Sequence, residues 1–96
     1  MKVSEEFETK HGGKIQIAKI SDGGNSSWGN KDGYKQDSIR LAWYRESGGF
    51  DPISSAEVPI WGLFELVKVA SQKDMLTKAE IAELIGNLTS SIYRQL

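Results

Sequence analysis

Between residues 28 and 45 the chain interleaves flat rings with cations: Trp28, Lys31, Tyr34, Lys35, Arg40, Trp43, Tyr44 and Arg45. Aromatic rings stack on base faces, at about 1–3 kcal/mol per base, and those faces are open on single strands but hidden in a duplex. Lysine and arginine neutralise the accompanying phosphates. The mixture points to an unpaired nucleic acid as ligand. The candidate contact set is Lys14, Lys19, Trp28, Lys31, Tyr34, Lys35, Arg40, Trp43 and Arg45. Trp28 stands in a Gly/Asn/Ser stretch that gives it little local reason to be buried. Trp43 alternates in phase with Ile39 and Leu41, so a core position accounts for it equally well.

Other chemistries find little support. The absence of cysteine excludes disulfides, thiolate metal sites and cysteine nucleophiles. A single histidine, His11, cannot build a multi-histidine metal site, and no histidine–carboxylate–nucleophile set is present. Residues 24–31 look faintly like a phosphate loop, but the lysine falls one place late and no Ser or Thr follows it to serve magnesium. The surroundings of Asp22 and Asp32 lack the ligand spacing of a calcium loop. The expectation is a non-enzymatic protein with no metal and no cofactor.

A net charge of −1 conceals a segregation. Residues 10–45 carry seven cations against three carboxylates, whereas residues 1–9 sum to −2 and residues 46–96 to −3. The field at a surface follows local arrangement, so the basic first half can still attract phosphate.

These side chains need a scaffold, and 96 residues allow one domain. The apolar fraction of 39% lies below the usual ~45–50%, which predicts a thin core completed against a second copy. Residues 7–11 read as a short strand, Gly12-Gly13 as a turn, and residues 14–17 as an alternating strand that ends or bulges at Lys19-Ile20. Residues 21–36 are loop, rich in glycine, asparagine and serine. Residues 38–44 form the clearest strand, with Ile39, Leu41 and Trp43 on one face and Arg40, Ala42 and Tyr44 on the other. A hairpin turn at 46–49 leads to a weaker strand over 50–58, with Pro52 at an edge or start.

Pro59 suits the first turn of a helix whose residues 60–70 are so apolar that both sides must be buried. One side is assigned to the sheet and the other to a dimer contact through Leu63, Phe64, Val67 and Ala70. Thr77-Lys78-Ala79-Glu80 fits a capping box for a second helix, with an apolar stripe at Ile81, Leu84, Ile85, Leu88 and Ile92. Ile81, Leu84 and Leu88 would extend the dimer contact, and Gly86 weakens the helix.

The element order, with Ser38-Ile39-Arg40-Leu41-Ala42-Trp43-Tyr44 on the third strand, resembles the positive cofactor four family of single-stranded-DNA-binding transcriptional coactivators, in a bacterial or phage-type form. Ile39-Arg40 with Trp43, then Gly48-Gly49, Pro52, Glu57-Val58 and the helix after Pro59 carry the likeness, which spans residues 7–72. It implies an α+β fold: a curved four-stranded antiparallel sheet, a long helix, and dimerisation through the helices. It also implies DNA held along the sheet, with Arg40 and Trp43 at contacting positions. The chain departs from the pattern at Ser54 and Ser55, where basic residues are usual, at Ile20, where an aromatic is usual, and in a longer loop carrying Trp28 and Tyr34. Residues 1–72 would form the binding core and 73–96 a helical extension within one structural domain.

Two other readings compete. Residues 76–96 resemble a helix-turn-helix with Gly86 in the turn, which would make the protein a duplex-binding repressor; one arginine there leaves that end electrostatically poor. A protein-binding adaptor or inhibitor would instead use the aromatics as hot spots. The start, Met1 to Glu6, lacks the apolar core of an export signal, and no run approaches a membrane span. The expected setting is cytoplasmic, nucleoid-associated in a bacterium or phage, with replication, recombination or transcription proteins as further partners and no membrane.

Overall fold

The computed structural model describes residues 1–29, 35–52 and 54–96. The expected contacts Lys31 and Tyr34 lie outside the described residues. Four strands, β1 (Glu5–Glu8), β2 (Lys14–Ala18), β3 (Ser38–Ala42) and β4 (Ala56–Pro59), form one antiparallel sheet in the order β1-β2-β3-β4. Two helices follow, α1 (Ile60–Gln72) and α2 (Lys78–Arg94). The architecture is α+β, a four-stranded antiparallel sheet and then helices.

Register sorts the side chains into two faces. Glu6, Gln16, Arg40 and Glu57 pair in one row across all four strands, flanked by Lys14 with Ala42 and by Ala18 with Ser38 and Pro59. Because successive residues alternate, Phe7, Ile15, Ile17, Ile39, Leu41 and Val58 share the opposite face. Burial falls on the polar face: Gln16, Ala18, Ser38 and Ala42 are buried, while Phe7 and Leu41 are exposed and the isoleucines half-buried.

The loop after β2 contributes at the Ala18–Ser38 end of that face. A 3-10 turn, Ile20–Asp22, reverses the chain, and Gly24 passes so close that a Cβ there would meet the Lys19 nitrogen at 2.6 Å. Reciprocal backbone bonds between Lys2 and Asn25, at 2.6 and 2.9 Å, fix the loop to the amino terminus.

The fourth strand is shorter than the expected 50–58. Tyr44 and Phe50 form an isolated bridge, and the strand proper begins at Ala56. Pro52 has no N–H to donate, and the Ser55 hydroxyl accepts from the Trp43 N–H at 2.9 Å where a ladder carbonyl would otherwise serve.

The chain forms two compact units, Met1–Phe64 and Glu65–Leu96. No residue of α1 or α2 is buried in the single chain. Both bonds of the capping box are made at α2: Thr77 N–H to Glu80 Oε1 at 2.9 Å and Glu80 N–H to Thr77 Oγ1 at 3.1 Å. The helix runs unbroken through Gly86, which corrects the helix-turn-helix reading: residues 78–94 contain no turn. A single glycine costs only about 1 kcal/mol relative to alanine, too little to break a capped helix of 17 residues. Among the described residues, no helix is long and apolar enough to cross a membrane.

Candidate nucleic-acid interface

Arg40 sits in the middle of the polar row, where its cross-strand neighbour is Gln16. The Gln16 amide oxygen accepts from Arg40 Nε at 2.9 Å and also from Nη2. Its amide nitrogen donates to the Tyr44 hydroxyl at 2.7 Å and to Glu6 Oε2 at 3.3 Å. A buried glutamine thus has its polar atoms satisfied by orienting two groups of the site. The Arg40 guanidinium lies over the Phe50 ring at 4.3 Å, and Phe50 meets Tyr44 edge-on at 5.8 Å. Lys14 Nζ stands 5.4 Å from the Tyr44 ring centre. Two cations and two rings therefore converge on one side of the sheet, and the rings keep 42% (Tyr44) and 36% (Phe50) of their surface exposed.

Lys14 is partly neutralised, with Glu6 at 3.1 Å and Glu8 at 3.5 Å. Hydrogen bonds from Lys14 and then Gln16 hold the Glu6 carboxyl below its usual range, and Glu6 in turn raises the Lys14 ammonium. Arg40 has no carboxylate partner among the described residues. Its Nε and Nη2 both donate to the Gln16 amide oxygen.

At the other end of the row, Glu57 gathers the loop after β2. Its Oε2 accepts from Ser38 Oγ at 2.7 Å, Ser27 N–H at 2.9 Å and Ser26 Oγ at 3.3 Å. Partial burial raises the Glu57 carboxyl, but the bonds from Ser38, Ser27 and Ser26 outweigh it and leave the group below the usual range. Trp28 follows directly: its N–H donates to Ser26 Oγ at 2.8 Å and its indole Nε1–H to the Glu57 carbonyl at 3.2 Å. The indole is tethered at its nitrogen yet 44% exposed.

The remaining expected contacts are dispersed. Trp43 falls on the opposite face, against the Gly12-Gly13 turn, where a Cβ on Gly13 would meet its ring at 3.1 Å. Lys19 lies 4.0 Å from Asp22. Lys35 is exposed at a bridge to Gly29, and Arg45 is exposed in the hairpin turn. Of the expected dimer contacts, Phe64, Val67, Ile81 and Leu88 are exposed, while Leu63, Ala70 and Leu84 are half-buried.

No family model, curated protein or solved structure matches the chain. Sequence reasoning missed Gln16, Phe50 and Glu57 as parts of the site. A signal existed for Gln16, a polar residue between Ile15 and Ile17 in the phase of Arg40. Phe50 was legible as the mirror of Tyr44 across the 45–49 turn.

Proposed function

We propose that the protein binds single-stranded DNA without sequence preference, as a homodimer, stacking bases on the rings of the Arg40 face and holding phosphates with its cations. The observation that carries this reading is the Arg40–Phe50–Tyr44–Lys14 cluster: a guanidinium supported from one side, with half-exposed rings beside it. A role in replication, recombination or transcription and a cytoplasmic or nucleoid setting belong to the same proposal. Open apolar side chains on α1 and α2 favour a second copy as partner.

Glu6, Glu8 and Glu57 share the face with Lys14 and Arg40, so few phosphates are neutralised and stacking supplies much of the affinity. Each neutralised phosphate on a single strand contributes about −0.7 to the log–log salt slope, and a total slope of roughly −1 to −2 is expected. Fluorescence anisotropy with a labelled thymidine oligonucleotide at several salt concentrations tests this. Arg40→Ala should weaken binding to all sequences alike and flatten the slope by about 0.7, as loss of one phosphate contact does. Unchanged affinity in that variant would remove Arg40 from the interface. A slope near zero in the wild type, with binding instead to a protein partner, would favour the adaptor reading.

A further inference from the structure

We propose that Glu57 is a positioning residue for Trp28: its carboxylate clasps the loop after β2 and holds the indole as a preset stacking platform at the β4 edge. This rests on the single-strand reading and extends it to a residue that has no ring and the wrong charge to meet DNA itself.

The geometry is a relay. Three donors, Ser38 Oγ, Ser27 N–H and Ser26 Oγ, converge on one oxygen, Glu57 Oε2. Ser38 belongs to β3 and is buried, so the carboxylate is held from the sheet side as well as from the loop. Ser26 then uses the same hydroxyl twice, donating to Glu57 and accepting from the Trp28 N–H. The indole nitrogen closes the clasp on the Glu57 carbonyl. A tryptophan in a glycine- and serine-rich loop would otherwise pay rotamer and backbone entropy on binding, and pre-ordering it removes that cost. A carboxylate suits this role because hydrogen bonds to a charged acceptor are the stronger ones. Glu57 is also the register partner of Arg40, which ties the Trp28 loop to the same row as the cation–ring cluster.

The test separates position from contact. In 15N-labelled protein the three indole N–H signals are followed, with that of Trp28 assigned by its loss in Trp28→Phe. In Glu57→Ala, solvent exchange of the Trp28 indole should accelerate about tenfold while Trp43 and Trp61 are unchanged. Glu57→Gln keeps an acceptor oxygen and should restore part of the protection. In the binding arm, Trp28→Ala should cost roughly fivefold or more in affinity for the thymidine oligonucleotide. Glu57→Ala should cost less than that, and nothing further when added to Trp28→Ala. Should Glu57→Ala fail to fold, Ser26→Ala removes the relay alone and carries the same expectations. Unchanged indole exchange, or additive losses in the double variant, overturns the positioning role while leaving single-strand binding intact. A wild type that does not bind the oligonucleotide overturns the reading beneath it.

Discussion

Gln16 is the residue on which the Arg40 side of the face depends, because one buried amide orients both the guanidinium and the Tyr44 hydroxyl. Gln16→Leu, close in volume, should leave those groups unpaired and destabilise the fold by about 1–3 kcal/mol, read from urea midpoints. The same variant should weaken single-strand binding, since Arg40 loses its support. Glu57 adds a pH dependence of fixed sign. Its folded pKa lies below the 4.5 of an ordinary carboxyl, so the clasp's stabilisation is complete above 4.5 and is lost as pH falls through the folded value. The difference in urea midpoint between wild type and Glu57→Gln should therefore hold constant above that pH and shrink below it. Arg40 faces Glu57 across the β3–β4 register. A difference that grows on acidification would contradict the assignment. Trp28 and Arg40 were legible in the sequence from residue type alone. Glu57 was not, because its partners Ser26, Ser27 and Ser38 come together only once the loop has closed.

At the scale of elements, alternation revealed β2 and β3, and Thr77 with Glu80 marked the start of α2. What alternation could not reveal is which face the loops cover. Ile15, Ile17, Ile39 and Leu41 form the more apolar face, yet the segment after β2 closes on the Ala18–Ser38 end of the other face, through Ser26 and Ser27 on Glu57. Small side chains and Gly24 permit that approach; the deciding contact is between backbones, which no hydropathy pattern records. Gly24→Ala should accordingly be destabilising, by about 1–3 kcal/mol, since the clashing atoms belong to the Lys19 and Ala18 backbone. Gly86→Ala should do the reverse. A Cβ there meets nothing within 4 Å, and replacing a mid-helix glycine should raise stability by about 0.5–1 kcal/mol, seen as increased helicity on circular dichroism. The shortened β4 follows from Pro52 and the Ser55 hydroxyl, a side-chain substitution for a ladder bond that a strand-length estimate does not foresee.

For the whole molecule, unfinished burial is the dominant fact. In the unit Met1–Phe64 the isoleucine face is only half covered, and in the unit Glu65–Leu96 the stripe of Ile85, Leu88 and Ile92 is about 60% exposed. A second copy is the proposed remedy, and Leu88→Glu should halve the mass measured by sedimentation equilibrium; an unchanged mass would remove α2 from the interface. Whether rings and a cation on the Arg40 face receive separated bases is decided by competition. A labelled thymidine oligonucleotide bound to the protein is challenged with unlabelled single strand or with duplex of equal length at one salt concentration. The single strand should compete at least tenfold better, because stacking contributes about 1–3 kcal/mol for each base whose face is open. Equal or stronger competition by the duplex would contradict it.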